Sequence, residues 1–210
     1  MWNAGAVDRA WGEFWHKDVL DVAPGLLGAE LRAGGVAVRL TEVEAYRGEL
    51  DPASHAYRGR TPRNAVMFGP PGYAYVYFVF GMHWCLNVVC GEPGTASAVL
   101  LRAGEVIDGL ALARQRRGAG SADRELARGP ARLTVALGID RDASGTSLLD
   151  GRGPVTLARP RHPIDPARIM TGPRVGVAAA ADLPWRFWLG DEPTVSVYRR
   201  HIPRRRSART

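Results

Sequence analysis

Two side chains of opposite charge stand where apolar strands are expected. Glu44 lies in Glu42-Val-Glu-Ala-Tyr46, and Arg102 lies in Val99-Leu-Leu-Arg-Ala103. An ionised side chain in an apolar strand needs a partner. Each can serve the other, and a cation beside a carboxylate favours the charged form that a general base requires. A structural salt bridge satisfies the same pattern, and spacing alone leaves both readings open.

Aromatic residues form the second set: Tyr46, Tyr73, Tyr75, Tyr77, Phe78 and Phe80. Stacking on a nucleobase is worth roughly 1–3 kcal/mol, so an exposed aromatic face among basic residues suits unstacked nucleotides. A sheet core explains most of these residues equally well, because aromatics favour strands. Phe80 differs, since it abuts Gly81 at an expected hairpin tip, where an apolar side chain can wedge between stacked bases. Metal chemistry fares poorly. His83, Cys85 and Cys90 lack the spacing of a zinc deaminase, and Cys90 should point away from the other two. No P-loop or dinucleotide-binding glycine pattern occurs, and no Gly-x-Ser-x-Gly sits in a strand-turn-helix context.

Charge narrows the partner. The net charge is +7 and the pI about 10.1, carried almost entirely by arginine, with Lys17 the single lysine. Such a surface attracts polyanions, nucleic acid first; the plainer alternative is a basic surface that serves solubility alone. A chain of 210 residues fits one domain with a self-sufficient core. It has no apolar run long enough for a bilayer and no signal-peptide pattern, so no membrane partner is expected. Cys85 and Cys90 should face opposite sides of one strand, which argues against a disulfide and for a reducing cytoplasm.

Several elements should position these groups. Residues 1–17 read as a loosely packed lead-in. Asp21 reads as the cap of a short helix with Pro24 in its first turn. A strand over 29–33 and the Gly34-Gly35 turn lead to a strand over 36–44, with Val36, Val38, Leu40, Glu42 and Glu44 on one face by parity. Asp51-Pro52 and Thr61-Pro62 read as helix starts inside the loop carrying His55. Strands follow over 73–80, 83–89 and 96–103, then a helix over 105–117 and another from Gly129-Pro130 to Gly138. Residues 140–170 read as short strands and loops. Strands are expected at 175–177, 185–189 and 195–198, and a basic, disordered tail over 199–210.

The run Glu42-Val-Glu-Ala-Tyr46, Asp51-x-Ala-Ser-His55, Thr61-Pro-Arg-Asn64, Met67-Phe68, Tyr75-Val-Tyr77, Gly81-Met82, Asn87 and Leu100-Leu-Arg-Ala103, continuing through Gly129-Pro130 and Arg174-Val-Gly-Val177, resembles the alkyladenine (3-methyladenine) DNA glycosylase family. The resemblance covers nearly the whole chain. It implies an α/β (α+β) fold: one compact domain over 1–200, with a mixed, largely antiparallel sheet, surrounding helices and a protruding β-hairpin, and a basic tail at 201–210. It implies a monomer that needs no metal or other cofactor and binds duplex DNA through the minor groove. Such an enzyme flips a damaged purine out of the helix, hydrolyses its N-glycosidic bond and leaves an abasic site, without a lyase lysine. The place implied is the bacterial cytoplasm, at the nucleoid.

By the same resemblance Glu44 falls where the family's general base activates water, and Arg102 and the Val175 carbonyl fall where that water is held. Tyr46, His55 and Tyr77 fall where the flipped base is sandwiched. Asn87 falls where guanine's 2-amino group is hindered. Phe80, with Gly81 and Met82 beside it, takes the place of the hairpin residue that fills the gap in the duplex. The family commonly has Tyr there, so a polar contact by that residue is put in doubt; His83 and Trp84 also depart from the familiar pattern. Implied substrates are 3-methyladenine and 7-methylguanine, with hypoxanthine and ethenoadenine as further candidates. The rivals are a non-catalytic damaged-DNA-binding protein of the same fold and, by fold analogy alone, an RNA-binding relative of acyl- or formyl-transfer domains.

Overall fold

One long strand frames the molecule in the computed structural model, which describes residues 9–79, 81–118 and 120–201. Strand β2 (Val36–Arg47) pairs along nearly its whole length with β5 (Ser97–Asp108). On its other side it pairs first with β1 (Glu30–Ala33) and then with β8 (Arg186–Leu189). The hairpin β3 (Ala74–Val79) and β4 (His83–Cys90) extends the sheet beyond β5. Strand β6 (Val155–Ala158) extends it beyond β1, and β7 (Ile169–Gly172) pairs with β8. The result is a single domain built on an eight-stranded sheet whose strand pairings are antiparallel.

The β1–β2 turn follows from its sequence. Gly34 and Gly35 take φ of +51° and +77°, as a two-residue hairpin turn with both centres left-handed demands. The face expected to run unbroken down β2 does not. Val36, Val38 and Leu40 enter the main core with Val43 and Ala45, and not with Glu42 and Glu44. Against β5 the register shifts between Leu40 and Glu42 and again between Glu42 and Val43, leaving Thr41 extra on β2 and Arg102 extra on β5. A bulge reverses which face later residues occupy. Here it takes two carboxylates out of the apolar core and sets them on the face that Arg102 shares.

The main core lies on the opposite face, under α2 (Val19–Gly25) and α4 (Pro130–Leu137), and includes Val22, Leu26, Leu133 and Leu137. Helix α2 is capped by Asp18, whose carboxylate accepts the Leu20 N–H at 2.9 Å. Asp21 therefore lies inside the first turn, where its charge suits the positive helix end, and Pro24 falls near the other end. The lead-in is better packed than its lack of caps suggests. Residues Arg9–Phe14 form α1, and Trp11, Phe14 and Trp15 interlock with ring centroids 4.9–5.2 Å apart. Helix α4 begins at Pro130 and stops at Gly138, as expected.

Other segments depart from expectation for identifiable reasons. Residues 105–108 continue β5, because Glu105 pairs with Arg39 and Val106 with Val38; cross-strand pairing there overrides helical spacing. Helix α3 (Leu110–Arg117) starts only after Gly109, at φ +71°. Residues 175–177 form a turn, since Gly176 has φ +73° and the Val175 N–H is bound to a side chain. Residues 195–198 form no strand, because the Ser196 N–H is likewise bound to a side chain. In the loop between β2 and β3, helical turns fall at Gly48–Leu50 and Ala65–Phe68 rather than at Asp51 and Thr61. Of the expected tail, residues 202–210 lie outside the described residues, as does Phe80.

Candidate active site

The face exposed by the bulge carries Glu44, which is fully buried. Its Oε1 accepts the Val175 N–H at 2.7 Å and lies 3.2 Å from Arg102 Nη1. Its Oε2 accepts the Tyr46 hydroxyl at 2.9 Å. Burial, with Glu44 next in importance, pushes the Tyr46 phenol well above its usual range, so it stays protonated and donates. Burial alone would weaken the Arg102 cation, but Glu44 and Glu42 outweigh it and hold it firmly charged. One carboxylate is thus held by two hydrogen-bond donors and one cation from three separate segments.

Beside it opens a cavity of about 610 Å³, lined by Tyr46, His55, Tyr77, Asn87, Arg102 and Val175 among others. This size suits a small molecule or a single nucleobase. Tyr75, Tyr77, Cys85 and Asn87 reach it by strand parity, while Ala74, Val76, Leu86 and Val88 fill the main core behind. The rings of His55 and Tyr77 meet edge-on, 4.5 Å apart, and His55 Nδ1 lies 3.0 Å from the Tyr75 hydroxyl. Although its outer edge is open, loss of water on the inner side, aided by the Arg63 charge, holds the His55 pKa below its usual value. Asn87 is buried and donates from Nδ2 to the Tyr75 carbonyl at 3.1 Å, which braces its amide at the cavity wall.

A second ion pair braces the site from behind. Arg174 and Asp51 are both completely buried and bonded twice, with Nη2 2.9 Å from Oδ1. The Arg174 guanidinium packs on the Tyr46 ring at 4.6 Å and the Trp185 ring at 5.1 Å. It therefore supports Tyr46 and, through the next residue, the Val175 N–H. Asp51 also accepts the Ala53 N–H at 3.0 Å, fixing the start of the loop that presents His55. Asn64 closes that loop by donating to the carbonyls of His55 and Gly59 at 2.9 and 3.0 Å.

The sequence of a methylpurine-DNA glycosylase (MPG) domain aligns with residues 13–193 of this chain. The chain belongs to the methylpurine-DNA glycosylase family. It is thereby a DNA glycosylase, a base-excision repair enzyme that hydrolyses N-glycosyl bonds. A Streptomyces avermitilis protein is 56% identical over 200 residues, covering 92% of this chain and 93% of its own. A Nocardia farcinica protein is 58% identical over 180 residues, covering 83% and 84%, and a Burkholderia lata protein is 48% identical over 187, covering 89% and 88%. All three carry the provisional name 3-methyladenine DNA glycosylase.

Within this glycosylase domain Arg102, Val175, Tyr46, His55, Tyr77 and Asn87 line one cavity, and Glu44 lies behind three of them. Val175 meets Glu44 through its N–H, a contact the sequence did not indicate. The hairpin tip stands apart: Met82 is 68% exposed, and Gly81 turns with φ +69°. Sequence reasoning assigned no site role to Asp51, Glu42 and Ser196, whose roles come from long-range partners, or to Asn64, whose partners His55 and Gly59 lie in its own loop. It also placed Arg199 in the tail, whereas Arg199 lines the cavity and its carbonyl accepts the Gly176 N–H at 3.1 Å.

Proposed function

We propose that this glycosylase flips alkylated purines out of duplex DNA into the cavity and hydrolyses the N-glycosidic bond with water activated by Glu44. The observation that carries the reading is the buried Glu44 carboxylate, held by Tyr46, Arg102 and Val175, three residues that line an aromatic cavity. Glu44 takes a proton from water as the oxygen attacks C1′ of the sugar. The C1′–N bond breaks, and its electron pair leaves with the base. An oxocarbenium-like state develops positive charge at the sugar, which a nearby carboxylate stabilises. A purine methylated at N3 or N7 already carries positive charge and departs without a separate acid, so one carboxylate suffices. Hypoxanthine and ethenoadenine are neutral and need a proton donor, which makes them the poorer substrates.

The ring walls fit this use. A cationic purine stacks well on Tyr46 and Tyr77, and a His55 kept neutral adds no opposing charge. The braced Asn87 amide opposes the 2-amino group of normal guanine. Flipping costs a few kcal/mol, least at a damaged or mispaired base, so selection begins before the cavity is entered. The exposed hairpin tip suits entry from the minor groove, with Phe80 and Met82 filling the gap in the stack. The chain acts as a monomer in the bacterial cytoplasm.

Chromatography of bases freed from methylated duplex DNA tests the reading. Free 3-methyladenine or 7-methylguanine with abasic DNA is the expected result. Tight lesion binding without base release would instead identify a damage-binding protein.

A further inference from the structure

Glu42 has no part in the chemistry described above, yet it is as buried as Glu44. Its Oε1 accepts from Arg102 Nε at 2.8 Å, Arg186 Nε at 2.7 Å and Ser196 Oγ at 2.8 Å, and its Oε2 accepts the Ser196 N–H at 2.7 Å. Arg102 thus divides its donors between two carboxylates: Nε goes to Glu42, and Nη1 stands 3.2 Å from Glu44. Left to itself, a guanidinium closes on a carboxylate with two parallel bonds. Glu44 faces only one prong, at ion-pair distance and without a hydrogen bond.

That division matters because lone pairs are few. A carboxylate offers about four acceptor sites. Glu44 accepts the Val175 N–H and the Tyr46 hydroxyl, while Arg102 Nη1 stands beside it as an ion pair without a hydrogen bond. Two sites remain, and a closed Arg102 fork would take both. We propose that Glu42 is a positioning residue that holds Arg102 by Nε, keeps its fork from closing on Glu44, and so reserves a Glu44 lone pair for the attacking water. The proposal rests on Glu44 being the base. Burial opposes charge on Glu42, but Arg102, Arg186 and the Ser196 N–H outweigh it and hold its carboxyl below the usual range. Through Ser196 the same anion anchors the segment that brings Arg199 to the cavity.

The test is a double-mutant cycle on 7-methylguanine release from methylated duplex DNA under single-turnover conditions, with Kd for lesion DNA measured alongside. Glu42→Gln should slow release by up to about 100-fold, as expected of a misplaced catalytic group, with Kd unchanged. Arg102→Lys has no fork to close, so adding Glu42→Gln to it should cause little further loss. If Glu42→Gln does not fold, Glu42→Asp keeps the charge but withdraws it from Arg102, and should show the same pattern. Release at the wild-type rate by the folded Glu42 variant, or equal losses in the wild-type and Arg102→Lys backgrounds, would overturn the proposal. Failure of the wild type itself to release base would instead overturn the proposed function.

Discussion

Replacing Asp51 by Asn tests whether the buried Asp51–Arg174 pair holds the back of the site together. Asn keeps the shape and loses the charge, stranding a guanidinium that is completely buried between Tyr46 and Trp185. Arg174 Nε already lacks a hydrogen-bond partner, so the site has little reserve. Breaking a buried pair by removing one partner costs about 3–5 kcal/mol. The Asn carbonyl can still accept one of the two Arg174 bonds, which places the cost near the lower end, about 3 kcal/mol. For a chain of this size each kcal/mol moves Tm by about 2–4 °C, so the melting point should fall by roughly 6–12 °C. Thermal melts followed by circular dichroism at pH 7, with urea titrations alongside, measure it. Base release should fall as well, because Arg174 backs Tyr46 and precedes Val175. A Tm shift below about 2 °C would show that Arg174 finds another anion or water and that the pair does not hold the site together.

Two further outcomes follow. His55 should titrate below pH 6.5 in an NMR pH series, since burial and Arg63 favour its neutral form; its folded pKa is depressed, so the stability it contributes is complete above its unfolded pKa and is lost as pH falls through the folded value. Binding of cationic lesions should weaken over that same fall, and a His55 titrating above pH 7 would contradict this. Asn87→Ser should free normal guanine from undamaged duplex at a measurable rate, and no guanine in the chromatogram would show that the amide does not set the exclusion.

How much could be read in advance depended on the range of the interaction. The Gly34-Gly35 turn, the β3–β4 hairpin and the Pro130 helix start are local, and each was legible from a few residues. The pairing of Glu44 with Arg102 was legible too, because an arginine inside Val99–Ala103 demands an anion. Parity was less safe. Two register shifts around Glu42 move both carboxylates off the core face, and no local signal marks Thr41 or Arg102 as the extra residues. Arginine count pointed to a nucleic-acid partner, but not every arginine is free to meet it. Arg114 pairs with Asp123, Arg116 binds the Ala136 and Gly34 carbonyls, and Arg117 binds the Leu126 carbonyl, so much of α3's charge is spent on the fold. Segments 174–177 and 194–199 were the least legible, since their backbone groups bond to side chains more than a hundred residues away.

In the proposed reaction Glu44 generates the nucleophile. Glu44→Gln preserves the shape and can still accept from Val175, but it cannot take a proton from water. Single-turnover release of 7-methylguanine, measured with the Kd for lesion duplex, tests it most directly. The rate should fall by about 10²–10⁴-fold with binding retained. Base release by Glu44→Gln at the wild-type rate would contradict it and leave Glu44 with a structural role alone.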